Sequence, residues 1–338
     1  MKMIRYIVLS LAVVICSTAV QAVNHVAQLE KYVYPNNQPY SPNVYTYMPD
    51  GLTYLLLSND GKSIIKYDTK TGKEIEVILS VDKCRGAKIS HIEGFVLSDD
   101  GTKVLVYNNH QMIYRRSFNA KYYVFEIKRN MLTSLSDKFE FQRAPMFSKD
   151  ARMVAFVADN NIYIKKLDYN TEVAVTTDGR LNEIINGVPD WTYEEEFTTS
   201  VSMAWAPDNM TLCFIKYDER NVKSYSFPLY CGTCNSNTKY EYYPGEFTYK
   251  YPVAGENNSK VSVHSYDVET RKIKNIAFAD ENIEYIPRIG FGGNYDRLIV
   301  TTLNRGQNRM EIYAVNPKST VAKSIYVEDS NAWIAPET

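Results

Sequence analysis

The chain has 338 residues, enough for one large all-β domain or two ordinary domains, and 45% of them are hydrophobic, ample for a folded core. With 38 basic and 39 acidic residues the formal net charge is −1, and no basic stripe or acidic tail occurs, which argues against nucleic acid as a partner. Tyrosine is frequent, at 28 residues, a bias toward strands and away from helical bundles.

The N-terminus reads as an export signal. Lys2 and Arg5 supply the positive start, residues 6–20 form an apolar stretch too short to span a bilayer comfortably, and Val20-Gln21-Ala22 offers a cleavage site. Cys16 raises lipoprotein processing, but Ile15 stands where a small residue is expected, so simple cleavage is the reading. This gives a signal peptide over 1–22. No other stretch reads as a transmembrane helix, so the expectation is an exported, periplasmic or extracellular protein with no membrane contact after cleavage.

A turn motif then recurs, and each copy opens an apolar strand. The copies are Pro49-Asp50-Gly51, Ser98-Asp99-Asp100-Gly101, Ser148-Lys149-Asp150-Ala151, Ala206-Pro207-Asp208-Asn209 and a weaker Gly292-Gly293-Asn294. Asp suits this turn because its carboxylate bonds the N–H groups that follow, and Gly because it tolerates positive φ. The spacing predicts strands over 53–57, 103–107, 153–157, 212–216 and 298–302. Each unit carries a later strand ending in a polar turn, at 64–66, 122–127, 162–167, 261–266 and 310–315. Five units of roughly fifty residues, each of about four strands, match the blades of a β-propeller. Two segments interrupt the repeat, 178–202 and a Tyr-, Asn- and Pro-rich excursion over 218–260; long insertions in a propeller sit at its rim or faces and carry binding functions.

Four cysteines follow the signal: Cys84, Cys213, Cys231 and Cys234. Export permits disulfides in any of three pairings. The lone Cys231-Gly232-Thr233-Cys234 lacks a second ligand pair nearby, so it reads as a local disulfide or two structural thiols. No metal and no cofactor is expected.

The first interruption carries Asn186-Gly187-Val188-Pro189-Asp190-Trp191-Thr192-Tyr193-Glu194-Glu195-Glu196-Phe197. Three adjacent carboxylates are costly unless they stay solvated or meet a cation. Taken alone, they read as the solvated face of a short helix. The segment resembles the Asn-Gly-x-x-Asp-Trp-x-Tyr-Glu-Glu-Glu stretch of the dipeptidyl peptidase IV family, whose paired glutamates hold the free N-terminus of a peptide substrate. Other stretches are similar to the same family, in the right order. They are Tyr114-Arg115-Arg116-Ser117-Phe118, Trp205-Ala206-Pro207-Asp208-Asn209 and Tyr251-Pro252-Val253-Ala254-Gly255, and the resemblance covers 44–317.

The resemblance implies that Glu195 and Glu196 bind the substrate's α-ammonium, so that dipeptides are counted from the N-terminus. It implies that Arg115 contacts the substrate's backbone carbonyl; without it, Arg115 is a surface arginine beside Arg116. Glu194 is read as orienting its neighbours, Trp191 and Tyr193 as packing under the glutamate helix after Asp190, and Trp205 as blade core. The excursion over 218–260 matches the family's extended arm and implies a homodimer contact. The family's fold is an eight-bladed propeller followed by an α/β-hydrolase domain. Here about five of the expected eight blade units are counted, and no Gly-x-Ser-x-Gly nucleophile elbow occurs. The expectation is therefore an incomplete propeller, the substrate-gripping part of an exported serine peptidase that releases Xaa-Pro or Xaa-Ala dipeptides, inactive by itself. The rival expectation is a non-enzymatic propeller that binds peptides or acts as a scaffold.

Overall fold

The computed structural model describes residues 45–230, 243–292 and 296–335. The first sheet is a four-stranded antiparallel meander, β1 (Thr46–Tyr47), β2 (Thr53–Leu57), β3 (Ser63–Asp68) and β4 (Glu74–Ser80). The second holds β5 (Arg85–Gly86), β6 (Gly94–Leu97), β7 (Lys103–Met112), β8 (Phe118–Glu126) and β9 (Met131–Ser134); β6 to β9 form the meander and β5 adds in parallel to β9. The third is β10 (Arg143–Phe147), β11 (Met153–Ala158), β12 (Asn161–Lys166) and β13 (Thr171–Ala174).

The fourth sheet is interrupted twice. It starts with β14 (Ile184–Asn186), passes through the single described helix α1 (Trp191–Glu196), and resumes with β15 (Met203–Trp205) and β16 (Thr211–Asp218). A separate hairpin of β17 (Ser224–Leu229) and β18 (Gly245–Lys250) intervenes before β19 (Lys260–Asp267) and β20 (Ile273–Ile276) complete the sheet. The fifth sheet is β21 (Ile283–Gly290), β22 (Leu298–Asn304), β23 (Arg309–Val315) and β24 (Ala322–Asp329). All ten expected strands are present. The five sheets are propeller blades.

Strand alternation stacks them in chain order. On β7, Val104 and Val106 join a core with Leu55 and Ile64 of the first blade, while Leu105 joins Val154 and Phe156 of the third. On β11, Ala155 and Val157 face the other way, into a core shared with Leu212 and Phe214 of the fourth blade and Val300 of the fifth. Successive side chains of one strand thus serve two neighbouring blades, because they leave opposite faces of the sheet.

The turn aspartates act as expected. Asp50 Oδ1 accepts the Leu52 and Thr53 N–H groups at 2.8 and 3.0 Å, and Asp208 Oδ1 those of Met210 and Thr211 at 2.9 and 3.0 Å. The residue after each aspartate is left-handed: Gly51, Gly101, Ala151 and Asn209 have φ of 66°, 69°, 52° and 60°. The largest extensions beyond the expected bounds are in β7 and β8. β7 runs on through Asn108, Asn109, His110 and Gln111 to Met112, a mostly polar stretch with no apolar alternation to announce a strand, and pairs there with the start of β8 at Phe118 to Lys121.

Cys84 and Cys213 are buried, unpaired thiols, so they do not bridge one another. The signal segment 1–22, Cys231, Cys234 and most of the weak fifth turn lie outside the described residues. Among the described residues no helix is long and apolar enough to cross a membrane.

Candidate functional site

Helix α1 has six residues, too few to be stable alone, so its surroundings must hold it. Asp190 is the N-cap. One carboxylate oxygen accepts the Tyr193 N–H at 2.9 Å and the other accepts the Ser259 hydroxyl at 2.5 Å. Burial pushes the Asp190 carboxyl above its ordinary range, and these hydrogen bonds oppose the shift. Tyr193 points into the core, with ring centroids 4.9 Å from Tyr217 and 5.2 Å from Phe197. Its hydroxyl accepts the Ile286 N–H at 3.0 Å, which ties the helix to the fifth blade. Both residues are packing and capping groups.

The three glutamates have different surroundings. Glu194 is fully buried. Its Oε1 accepts the backbone N–H groups of Arg116 at 2.6 Å and Ser117 at 2.7 Å, and its Oε2 lies 3.7 Å from the Arg143 guanidinium. The Arg116 guanidinium returns to the Glu194 carbonyl at 3.1 Å. Glu195 is largely shielded, and its Oε2 is 3.6 Å from Arg115 Nε. Arg115 itself is 73% exposed. Glu196 is exposed and has no ion-pair partner among the described residues.

The β7–β8 hairpin explains how Arg115 reaches Glu195. The Ile113 N–H bonds the Ser117 carbonyl at 2.8 Å and closes a short loop with Arg115 at its tip. Glu194 grips that loop through two N–H groups. The buried glutamate therefore fixes the position of the arginine that meets its neighbour. The structure brings Glu195 and Arg115 together, leaves Glu196 exposed at the end of the helix, and keeps Glu194, Tyr193 and Asp190 buried.

Three further groups were not legible in the sequence. Arg143 opens β10 and is buried; burial lowers its pKa, while Glu194 opposes the shift. Glu219 follows β16 and is buried; burial first, then Asp190, pushes its carboxyl up to about 8 against Lys250 and Arg143. Both line a cavity of about 450 Å³ with Tyr114 and Pro189. Ser259 completes the Asp190 cap. None lies in a patterned segment, and each meets the site only through the fold. Among the described residues no cluster of His, Cys, Asp and Glu is arranged to hold a metal ion.

The β17–β18 hairpin, the described part of the 218–260 excursion, leans on the helix. Trp191 packs against Tyr251 with centroids 4.2 Å apart and against Tyr249 at 6.2 Å. Tyr249 also lies 5.9 Å from Tyr114, next to Arg115. Trp191 is thus the seat of the arm on α1.

The family described as "Dipeptidyl peptidase IV (DPP IV) N-terminal region" matches residues 98–338. The chain belongs to the dipeptidyl peptidase IV family. Similar proteins include a "Probable dipeptidyl-aminopeptidase B" of Aspergillus niger, 30% identical over 324 residues, which cover 89% of this chain and 36% of that one. Another of the same description, from Paracoccidioides lutzii, is 31% identical over 253 residues, covering 71% and 27%. Among solved structures, the crystal structure of Porphyromonas gingivalis dipeptidyl peptidase 4 superposes with a TM-score of 0.82 at 38% identity, covering 89% of this chain and 42% of that one. The chain thus spans about a third of the length of these curated relatives. It corresponds to the propeller region of a dipeptidyl peptidase IV-like protein.

Proposed function

We propose that this region grips the free N-terminus of a peptide for an exported dipeptidyl peptidase of the serine type. Glu195 and Glu196 take the α-ammonium, and Arg115 bonds the backbone carbonyl that follows. The observation that carries this reading is the division of labour among three adjacent glutamates. Glu194 is consumed by two backbone N–H groups and by Arg143, whereas the largely shielded Glu195 meets only Arg115 among the described residues and Glu196 is exposed.

Two adjacent carboxylates repel, and an ammonium between them relieves the repulsion while gaining charge-assisted hydrogen bonds of about 1.5–3 kcal/mol each. A blocked N-terminus has no such charge to offer. Holding the amine at a fixed distance from the bond to be cut would make the site a ruler, so that residues leave in pairs, as Xaa-Pro or Xaa-Ala. The nucleophile of that reaction is proposed to lie outside these 338 residues, which contain no Gly-x-Ser-x-Gly. The apolar N-terminal stretch with its Lys2 and Arg5 supports export. The aromatic arm over 218–260 suits a homodimer contact.

The test is peptide binding. Titration calorimetry with an unblocked glycyl-prolyl peptide should give heat with the wild-type chain and little with Glu195→Ala or Glu196→Ala, both variants melting like wild type. Undiminished binding by both variants would remove the glutamates from the site.

A further inference from the structure

The second blade's hairpin is irregular where it leaves the sheet. β7 pairs with β8 in steady register from Lys103 with Glu126 to Asn108 with Lys121, then resumes at Gln111 with Asn119, so Asn109 and His110 together oppose Ala120. This is a β-bulge, and Asn109 makes it in the left-handed region, with φ of 55°. A bulge bends and twists the strand beyond it, and what lies beyond this one is the loop with Arg115 at its tip. Burial does not hold the intervening stretch, because Asn109, His110, Gln111 and Met112 are all exposed.

One side chain clamps the bulge. Glu93, just before β6, donates its backbone N–H to the Tyr107 carbonyl at 2.8 Å and turns its carboxylate toward His110. Oε2 accepts the His110 backbone N–H, which the bulge leaves out of the ladder, at 3.0 Å, and lies 2.7 Å from His110 Nδ1. Oε1 lies 3.1 Å from His91 Nε2. Burial by itself would raise the Glu93 carboxyl, but the His110 N–H, the His110 ring and the His91 ring outweigh it and hold the group at about 2. The His110 ring stands edge-on to Phe118 at the start of β8, with centroids 5.8 Å apart. The hairpin is therefore held at two points, by Glu194 behind its tip and by Glu93 at its bulge.

We propose that Glu93 is a positioning residue for peptide binding: by clamping the bulge of β7 it aims the hairpin so that Arg115 stands where it meets Glu195 and the peptide. This rests on the reading of Arg115 as the group that bonds the peptide's backbone carbonyl. Glu93 acts through Arg115 and not on the peptide. The Arg115 side chain is mostly exposed, and its 3.6 Å approach to Glu195 is too long to fix it, so its placement comes from the backbone that carries it. Glu194 fixes the two residues after the tip, and Glu93 fixes the strand that leads into it. Without the Glu93 carboxylate the His110 N–H loses this partner, the bulge relaxes, and the tip turns with it.

The experiment is a double-mutant cycle by calorimetry on the full chain, with unblocked and N-acetylated Gly-Pro-Gly as probes. Glu93→Ala should weaken binding of the free peptide on the order of fivefold, less than the loss of Arg115 itself, because the guanidinium is misplaced rather than absent. Adding Glu93→Ala to Arg115→Ala should cost nothing further, since the residue being positioned is already gone. A merely structural role would lower affinity by the same factor with or without Arg115. Should Glu93→Ala melt far below wild type, Glu93→Gln, which keeps the shape and removes the charge, takes its place in the cycle. Wild-type affinity in the Glu93 variant, or an equal loss in both backgrounds, overturns the proposal while the ammonium site stands. If wild type binds the acetylated peptide as well as the free one, or binds neither, the ammonium site fails and the proposal with it.

Discussion

The carboxylate of Glu194 accepts the backbone N–H of Ser117 at 2.7 Å, joining the fourth blade's helix to the second blade's hairpin. Everything that distinguishes the site follows from this bond. It removes the first glutamate from solvent, and it holds the loop whose tip arginine faces the second.

Removing that anchor should cost far more than a surface substitution. Glu194→Ala would leave two N–H groups and the buried Arg143 guanidinium without a partner, a loss of about 3–5 kcal/mol. Denaturant unfolding checks it. Adding Arg143→Met should recover part of the loss, because the stranded charge is then gone. A Glu194→Ala variant as stable as wild type would contradict the buried pairing.

Arg115 should behave in the opposite way. Its ion pair with Glu195 is long and its side chain is mostly exposed, so Arg115→Ala should change stability by less than about 0.5 kcal/mol. Peptide affinity should nevertheless fall on the order of tenfold, through the lost charge-assisted bond. Melting and calorimetry on the same sample separate the two effects.

Glu219 gives a pH dependence with a definite sign. Its carboxyl is raised to about 8 in the folded protein from an ordinary value of 4.5, so the folded chain holds a proton that the unfolded chain has released. Stability is then unimpaired below the unfolded value and falls as pH rises toward 8. Glu219→Gln, which keeps the neutral form, should match wild type near pH 5 and exceed it at pH 8 by an amount on the order of 4 kcal/mol. Denaturant curves at the two pH values that shift in parallel for both proteins would show that Glu219 is ionised in the fold.

The propeller was legible because its signals are local. Asp50, Asp100, Asp150 and Asp208 each bond N–H groups two or three residues on, and the apolar strand after each follows directly, so chain order alone reveals it. The outer strands were harder. β4 begins Glu74-Ile75-Glu76-Val77 with all four side chains exposed, and β24 is exposed along most of its length, so burial pattern does not mark them. The glutamate run was legible as a cluster, and its division was not. Whether Glu194 or Glu196 is the buried one depends on a hairpin from another blade. Arg143 and Glu219 carry no local signal at all, since their partners come from distant strands.

The chain by itself should release no chromophore from a glycyl-prolyl chromogenic substrate, since binding residues without a nucleophile cannot form the acyl intermediate. Turnover by purified protein, surviving a serine-peptidase inhibitor control, would mean that catalytic chemistry resides in the propeller.

The central claim is that a free α-ammonium is what the site recognises. Calorimetry with a single glycyl-prolyl peptide, unblocked and N-acetylated, tests it most directly. The account predicts binding of the free amine and loss of that binding on acetylation, since the acetyl group removes the charge that Glu195 and Glu196 share. Equal affinity for the two forms would contradict it.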